Sequence, residues 1–209
     1  MQRLLLTLLS VLFVTLLATP TLGAGWLWDT GNGVGFVAFA GLLYLGRSEG
    51  SGKNQQAHQL LGFAVLGVTT THAYWFLLFD AAVIEYIKPG APVYMWAGIL
   101  GFILLTVLIF TGLPEYRLRL HKRYAIFKYW HRGLAFATIA GAGYHIVASG
   151  FYLSISFQVL LFVMLIIAAL FGDQLITRRE VETRQPSAMY LVAGVLCVLL
   201  FAGIRNFSI

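Results

Sequence analysis

Charge is what this sequence has least of. Asp, Glu, Lys and Arg make up only 11% of its 209 residues, against roughly a quarter in an ordinary soluble domain. Cysteine is almost absent. The single Cys197 lies inside an apolar run, which excludes an internal disulfide and any CxxC metal or redox motif. A cysteine so placed packs as a small side chain. No G-x-G-x-x-G unit follows a strand pattern. Asn32-Gly33-Val34-Gly35 has glycine-loop spacing but leads into an apolar run, so a nucleotide-binding turn is not expected there. Solenoid-type repeats and low-complexity stretches are also missing. What is plentiful is apolar: 59% of residues are hydrophobic and the mean hydropathy is +0.82. So little polar surface cannot keep a chain of this length in water, and the bilayer is its natural solvent. The net charge of +6 does not argue for nucleic acid. Most Lys and Arg fall in three short stretches between apolar runs, as orientation signals do, not on one continuous basic face.

Seven apolar segments are expected, since a spanning helix needs about 20 residues. They run over about 4–22, 33–45, 58–79, 95–113, 130–149, 155–171 and 189–204. Arg3 before the first and Thr19-Pro20-Thr21-Leu22-Gly23-Ala24 after it fit a cleaved signal peptide and a retained helix equally. Pro114 should stop the fourth segment, and Gly150 follows the fifth. The connections alternate in charge. Arg47 and Lys53 follow segment two, Arg117, Arg119, Lys122, Arg123 and Lys128 follow segment four, and Arg178, Arg179 and Arg184 follow segment six. The intervening loops hold Asp29, then Asp80, Glu85 and Lys88, then no charge. The positive-inside rule makes the three basic loops cytoplasmic. Segments three and five then run in the same direction. Trp26, Trp28, Trp75, Trp96 and Trp130 fall near segment ends, as an aromatic belt would.

Four of the five histidines form a pattern. His58 and His72 lie in segment three, His131 and His145 in segment five, and each pair is 14 residues apart. Fourteen residues make about 21 Å of helix and return to within about 40° of the same face. Because the two segments are parallel, His58 shares its depth with His131, and His72 with His145. Ionisable residues inside a membrane are rare and usually functional. Facing imidazoles suit haem iron, which takes an axial ligand on each side of the ring. Gly62, Gly67, Gly133, Gly141 and Gly143 near the histidines would let a flat macrocycle approach the backbone, although small residues also serve plain helix packing. Zinc is the chemical rival, but two imidazoles without Asp, Glu or Cys at their depth fall short of its usual ligand set. A single membrane histidine is more often a packing residue than a ligand; the duplicated spacing is what points to ligation. His121, amid Arg and Lys, reads as solvated, and Glu115 and Asp80 as solvated span ends. Orientation alone accounts for the basic loop. Arg117, Arg119, Lys122, Arg123, Lys128 and Arg132 have a second reading, as partners of haem propionates or a dock for an acidic donor.

The chain resembles the ferric reductase-like transmembrane domain shared by ferric reductases and NADPH oxidases. The resemblance runs from about Trp28 to Asp173. Its carriers are Trp28-Asp29-Thr30-Gly31-Asn32-Gly33-Val34-Gly35, His58-Gln59-Leu60-Leu61-Gly62 through His72, and Leu113-Pro114 leading to Trp130-His131-Arg132 and His145. It implies two stacked b haems, the inner held by His58 and His131 and the outer by His72 and His145. The family's flavin and nicotinamide domain has no counterpart in this sequence, so a separate donor is expected. Shorter bacterial relatives that serve a periplasmic methionine sulfoxide reductase are similar in size and layout, with fewer histidines expected.

The fold class expected is therefore an all-α integral membrane protein, a bundle of six or seven transmembrane helices with two stacked haem sites between the third and fifth. Residues 1–24 read as a signal peptide or first transmembrane helix. Residues 25–175 read as the ferric reductase-like haem-binding domain, and 176–209 as a cytoplasmic loop with a C-terminal transmembrane helix. The function implied is a diheme b-type cytochrome, an oxidoreductase component of the cell membrane, in a bacterium the inner membrane. It would pass electrons from a cytoplasmic flavoprotein or a quinol to an outer ferric chelate, dioxygen or periplasmic protein, with lipid around it and no nucleic acid. The rivals are a quinol-linked diheme cytochrome b subunit of a larger complex and a haem-free transporter or assembly factor.

Overall fold

The structure is a computed structural model that describes residues 2–16, 25–47, 55–171 and 186–207. The described residues contain no β-strand. The helices are α1 (Gln2–Leu16), α2 (Trp26–Arg47), α3 (Gln55–Phe79), α4 (Val93–Gly112), α5 (Pro114–His121), α6 (Tyr124–Ser149), α7 (Ser156–Phe171) and α8 (Pro186–Phe207), with a 3₁₀ helix over Ala81–Ile87. Three helices are long and apolar enough to cross a bilayer by themselves: Gln55–Phe79, Val93–Gly112 and Ser187–Phe207. Arg3–Leu16 and Ser156–Phe171 are shorter apolar helices. The chain is a multi-pass membrane protein. Large side chains such as Leu78, Phe79, Val93 and Val192 stand exposed on its outside, which is stable only in an apolar solvent.

Several boundaries differ from expectation for identifiable reasons. Helix α2 begins at Trp26 instead of about Gly33, because its polar first turns find partners. The Asn32 Nδ2 donates to the Trp28 carbonyl at 2.8 Å, and Asp29 is not a loop residue but is fully buried. Arg205 Nε donates to Asp29 Oδ1 at 2.8 Å. That arginine lies one residue past the expected end of the last segment, in a helix that continues to Phe207. Helix α6 begins at Tyr124, six residues early, since Lys and Arg can lay apolar stems along a span end while their heads reach water. The basic stretch before it is not a plain loop. It folds as α5, with Pro114 in the first-turn position that proline tolerates. The fifth expected span is therefore the sixth helix. His121 ends α5 half-buried, its ring centre 5.6 Å from that of Phe127, so it is not simply solvated. Lys122 then turns the chain with a left-handed φ of 56°. Helix α4 stops where expected: Leu113 is extended, with ψ 143°, as a residue preceding proline prefers. Gly150 ends α6 at φ 69°, a conformation glycine adopts without strain. Lys53, Arg178, Arg179, Arg184 and the stretch Thr19–Ala24 lie outside the described residues.

Helices α2, α3, α4 and α6 form a ring. Helix α3 packs on α2 and α4, and α6 packs on α4 and α2. The histidine-bearing α3 and α6 face each other across a diagonal with almost no direct backbone contact. On the far side of α2, helices α1, α7 and α8 bury the main apolar cluster, with Phe39, Leu43, Phe162, Tyr190 and Phe201 at its centre.

Candidate haem-binding site

The gap between α3 and α6 opens into a cavity of about 780 Å³ at one end of the ring, within the roughly 300–1,000 Å³ range of cofactor sites. His58 and His131 line it, with their ring centres 6.3 Å apart. An iron that takes one imidazole nitrogen on each side, at about 2 Å as in other metal–imidazole bonds, requires ring centres roughly 6 Å apart. Two buried polar atoms at this end have no hydrogen-bond partner, His131 Nδ1 and Arg117 Nε. Unsatisfied buried groups are unusual, and here both belong to side chains that line the cavity. Gln59 Nε2 donates to the Gly112 carbonyl at 3.5 Å, which ties α3 to the end of α4. Phe127 packs against His131 with ring centres 5.1 Å apart.

At the other end the imidazoles are held differently. His72 Nδ1–H donates to the Gly31 carbonyl at 2.8 Å, and His145 Nδ1–H to the Tyr94 carbonyl at 2.9 Å. A carbonyl can only accept, so each Nδ1 carries the proton and each Nε2 keeps its lone pair. Metal-ligating histidines are oriented in this way. Each ring also lies against a glycine of a neighbouring helix. A Cβ at Gly35 would sit 2.7 Å from His72 Cε1, and one at Gly98 would sit 2.9 Å from His145 Nδ1. Helix α4 presents its start to His145 and its end, Gly112, to His131.

The glycines that crowd the imidazoles are thus on α2 and α4; of those expected to admit a macrocycle, Gly62 lines the cavity. Gly67 and Gly133 face open space, whereas Gly141 packs against α4 and Gly143 against Ile166 and Phe39. Regular spacing within one segment was visible; which glycine of a different helix meets a ring was not. The expected basic set divides in two. Arg117, Lys128 and Arg132 line the cavity, and Arg117 stands over the Tyr124 and Phe127 rings at 5.7 Å each. Arg119, Lys122 and Arg123 are exposed and do not line it. Of the tryptophans, Trp26, Trp96 and Trp130 are exposed as a belt residue would be. Trp75 instead donates to the Leu27 carbonyl at 2.9 Å, and Trp28 packs on Phe76.

Among the described residues no three His, Cys, Asp or Glu side chains gather as a metal cage, so a zinc site lacks its usual third ligand. The paired imidazoles of His58 and His131 and the open cavity they line fit haem at that end, and the Nε2 lone pairs of His72 and His145 suit an iron ligand at the other. The family model described as the ferric reductase like transmembrane component matches residues 37–142, half of the chain. That stretch includes His58, His72 and His131 and stops three residues before His145. No curated protein and no solved structure matches the chain.

Proposed function

The chain belongs to the ferric reductase-like transmembrane family, and from that premise we propose that it is a diheme b-type cytochrome of the cell membrane. It carries electrons across the bilayer from a cytoplasmic donor to an outer acceptor: a ferric chelate, dioxygen or a periplasmic protein. Six or seven helices span, and the basic connections face the cytoplasm. His58 and His131 hold the inner haem, His72 and His145 the outer. Haem iron supplies the one-electron chemistry when bound. The chain's own residues do the rest. Gly31 and Tyr94 carbonyls fix the tautomer and aim of the outer imidazoles. Arg117, Lys128 and Arg132 line the inner cavity, where they would take up propionate charge. The exposed Arg119, Lys122 and Arg123 would dock an acidic flavoprotein.

The observation that carries this reading is the 6.3 Å separation of the His58 and His131 rings across a gap that two adjacent helices hold open. A reduced-minus-oxidised spectrum with haem quantitation tests it. Two low-spin haems per chain are expected, and one or none overturns the proposal. A protein with no Soret band after growth with ample haem would favour a transporter or assembly factor. One feature favours a membrane quinol as the donor instead. An apolar cleft of about 270 Å³ between α6 and α7 shares Phe136, Ile139 and Leu170 with the inner cavity, so an apolar carrier would reach that haem from the lipid. Quinol reduction of the purified protein separates the two donors.

A further inference from the structure

The most deeply buried charge in the described residues takes no part in the site above. Asp29 is 0% exposed and receives three hydrogen bonds. Arg205 Nε and the Tyr152 hydroxyl donate to its Oδ1 at 2.8 and 3.0 Å, and Asn206 Nδ2 donates to its Oδ2 at 2.9 Å. The Arg205 guanidinium also covers the Tyr152 ring at 4.7 Å. Burial, and then the Asp29 carboxylate, push the Tyr152 phenol above its ordinary range, so it remains a donor. The start of α2, the end of α8 and the connection after α6 thus meet at one carboxylate.

Such a pair is not needed for stability alone. Replacing a buried ion pair by apolar side chains is often neutral or favourable, and its best-attested use is to set register. Near its start, helix α2 turns glycines as well as Trp28 and Phe36 toward its two neighbours. Cβ atoms at Gly31 and Gly35 would strike Trp75, Phe76 and His72 of α3 within 2.5–2.8 Å, and one at Gly33 would lie 3.3 Å from Phe201 of α8. At Gly31, Gly33 and Gly35 the neighbours approach closely without a side chain of α2 to interdigitate, so there the polar contacts add the directional register that packing at those positions lacks. One residue of slip is about 1.5 Å, enough to break the 2.8 Å bond from His72 to Gly31. It would equally strand Asp29 as an unpaired buried charge.

We propose that the Asp29–Arg205 pair locks the axial position of α2 and thereby holds the Gly31 carbonyl against His72, which makes both residues positioning residues for the outer haem. The inference rests on the two-haem reading for its consequence, though not for the lock itself. Breaking the lock weakens the His72 Nδ1–H bond and makes the ligand less basic. The outer haem potential then rises while the inner one holds.

The test uses the full chain with both residues neutralised, Asp29→Asn with Arg205→Gln, so that no buried charge is left alone. Arg205→Lys, which keeps the charge, serves as the conservative rescue. Two readouts are taken. Hydrogen exchange of the haem-free protein over residues 26–35 should become about tenfold faster in the double variant and return toward wild type in Arg205→Lys. In the haem-loaded protein, the low-field electron-spin resonance and midpoint potential of one haem should shift while the other stays fixed. Unchanged exchange overturns the lock. Faster exchange with both haems unchanged, or shifted alike, overturns its link to His72. A wild-type protein with fewer than two haems overturns the two-haem reading, and the exchange measurement then decides the lock by itself.

Discussion

Adding one methyl group at Gly35 should selectively loosen the outer haem. In Gly35→Ala the new Cβ would lie 2.7 Å from His72 Cε1 and 2.8 Å from His72 Nδ1, where non-bonded atoms sit about 3.5 Å apart or more. The ring must retreat from α2 by roughly 0.8 Å. The Gly31 carbonyl that anchors it lies on the same helix, so the 2.8 Å hydrogen bond lengthens with the same movement, to about 3.6 Å, where it no longer counts as one. Overpacking of this kind costs about 1–3 kcal/mol. At tenfold per about 1.4 kcal/mol, outer haem affinity falls from roughly fivefold to more than a hundredfold. Gly98→Ala should act alike through His145, whose Nδ1 lies 2.9 Å from the added Cβ. Gly112→Ala is the control, because its Cβ would lie 3.6 Å from His131 Cε1, an ordinary contact. Titration of each apoprotein with haemin, followed by difference spectra and haem content, measures the effect. Full retention of both haems in Gly35→Ala, or equal loss in Gly112→Ala, would refute the reasoning.

Histidine replacements should sort by level. His72→Ala or His145→Ala removes mainly one haem, and His58→Ala or His131→Ala mainly the other. His121→Ala leaves the spectrum unchanged, and equal damage from all five would mean that the histidines act through folding. Single cysteines at Asp80 and Gly150 should react with an impermeant reagent from outside the membrane, and one at Lys122 should not; labelling of Lys122→Cys from outside would reverse the orientation. If a soluble donor docks on the exposed cations, changing Arg119, Lys122 and Arg123 together to Gln should slow haem reduction without altering haem content. Raising salt should do the same, since the screening length falls from about 10 Å at 0.1 M to 3 Å at 1 M. Indifference to both supports the quinol route through the cleft between α6 and α7.

Composition and spacing by themselves determined that this is a membrane protein and that two of its apolar segments each carry a pair of histidines 14 residues apart. Both follow from local quantities: hydropathy summed along a segment, and a helical period that brings His58 and His72, or His131 and His145, to one face. The stops of α4 and α6 were legible for the same reason, since the chain before Pro114 and at Gly150 obeys backbone limits that no tertiary contact needs to supply. The tertiary structure decided everything that depends on a second helix. Trp26 to Gly33 read as a polar lead-in until Arg205, Tyr152 and Asn206 met Asp29 and made those turns affordable as a buried helix. Gly35 and Gly98 looked no different from the other glycines until the ring placed them under His72 and His145. The basic residues after α4 formed one set by charge, and only the folding of α5 against α6 turned Arg117 into the cavity while leaving Arg119 outside. Depth along a helix is written in the chain, whereas which face of a neighbour stands opposite depends on how the helices close the ring.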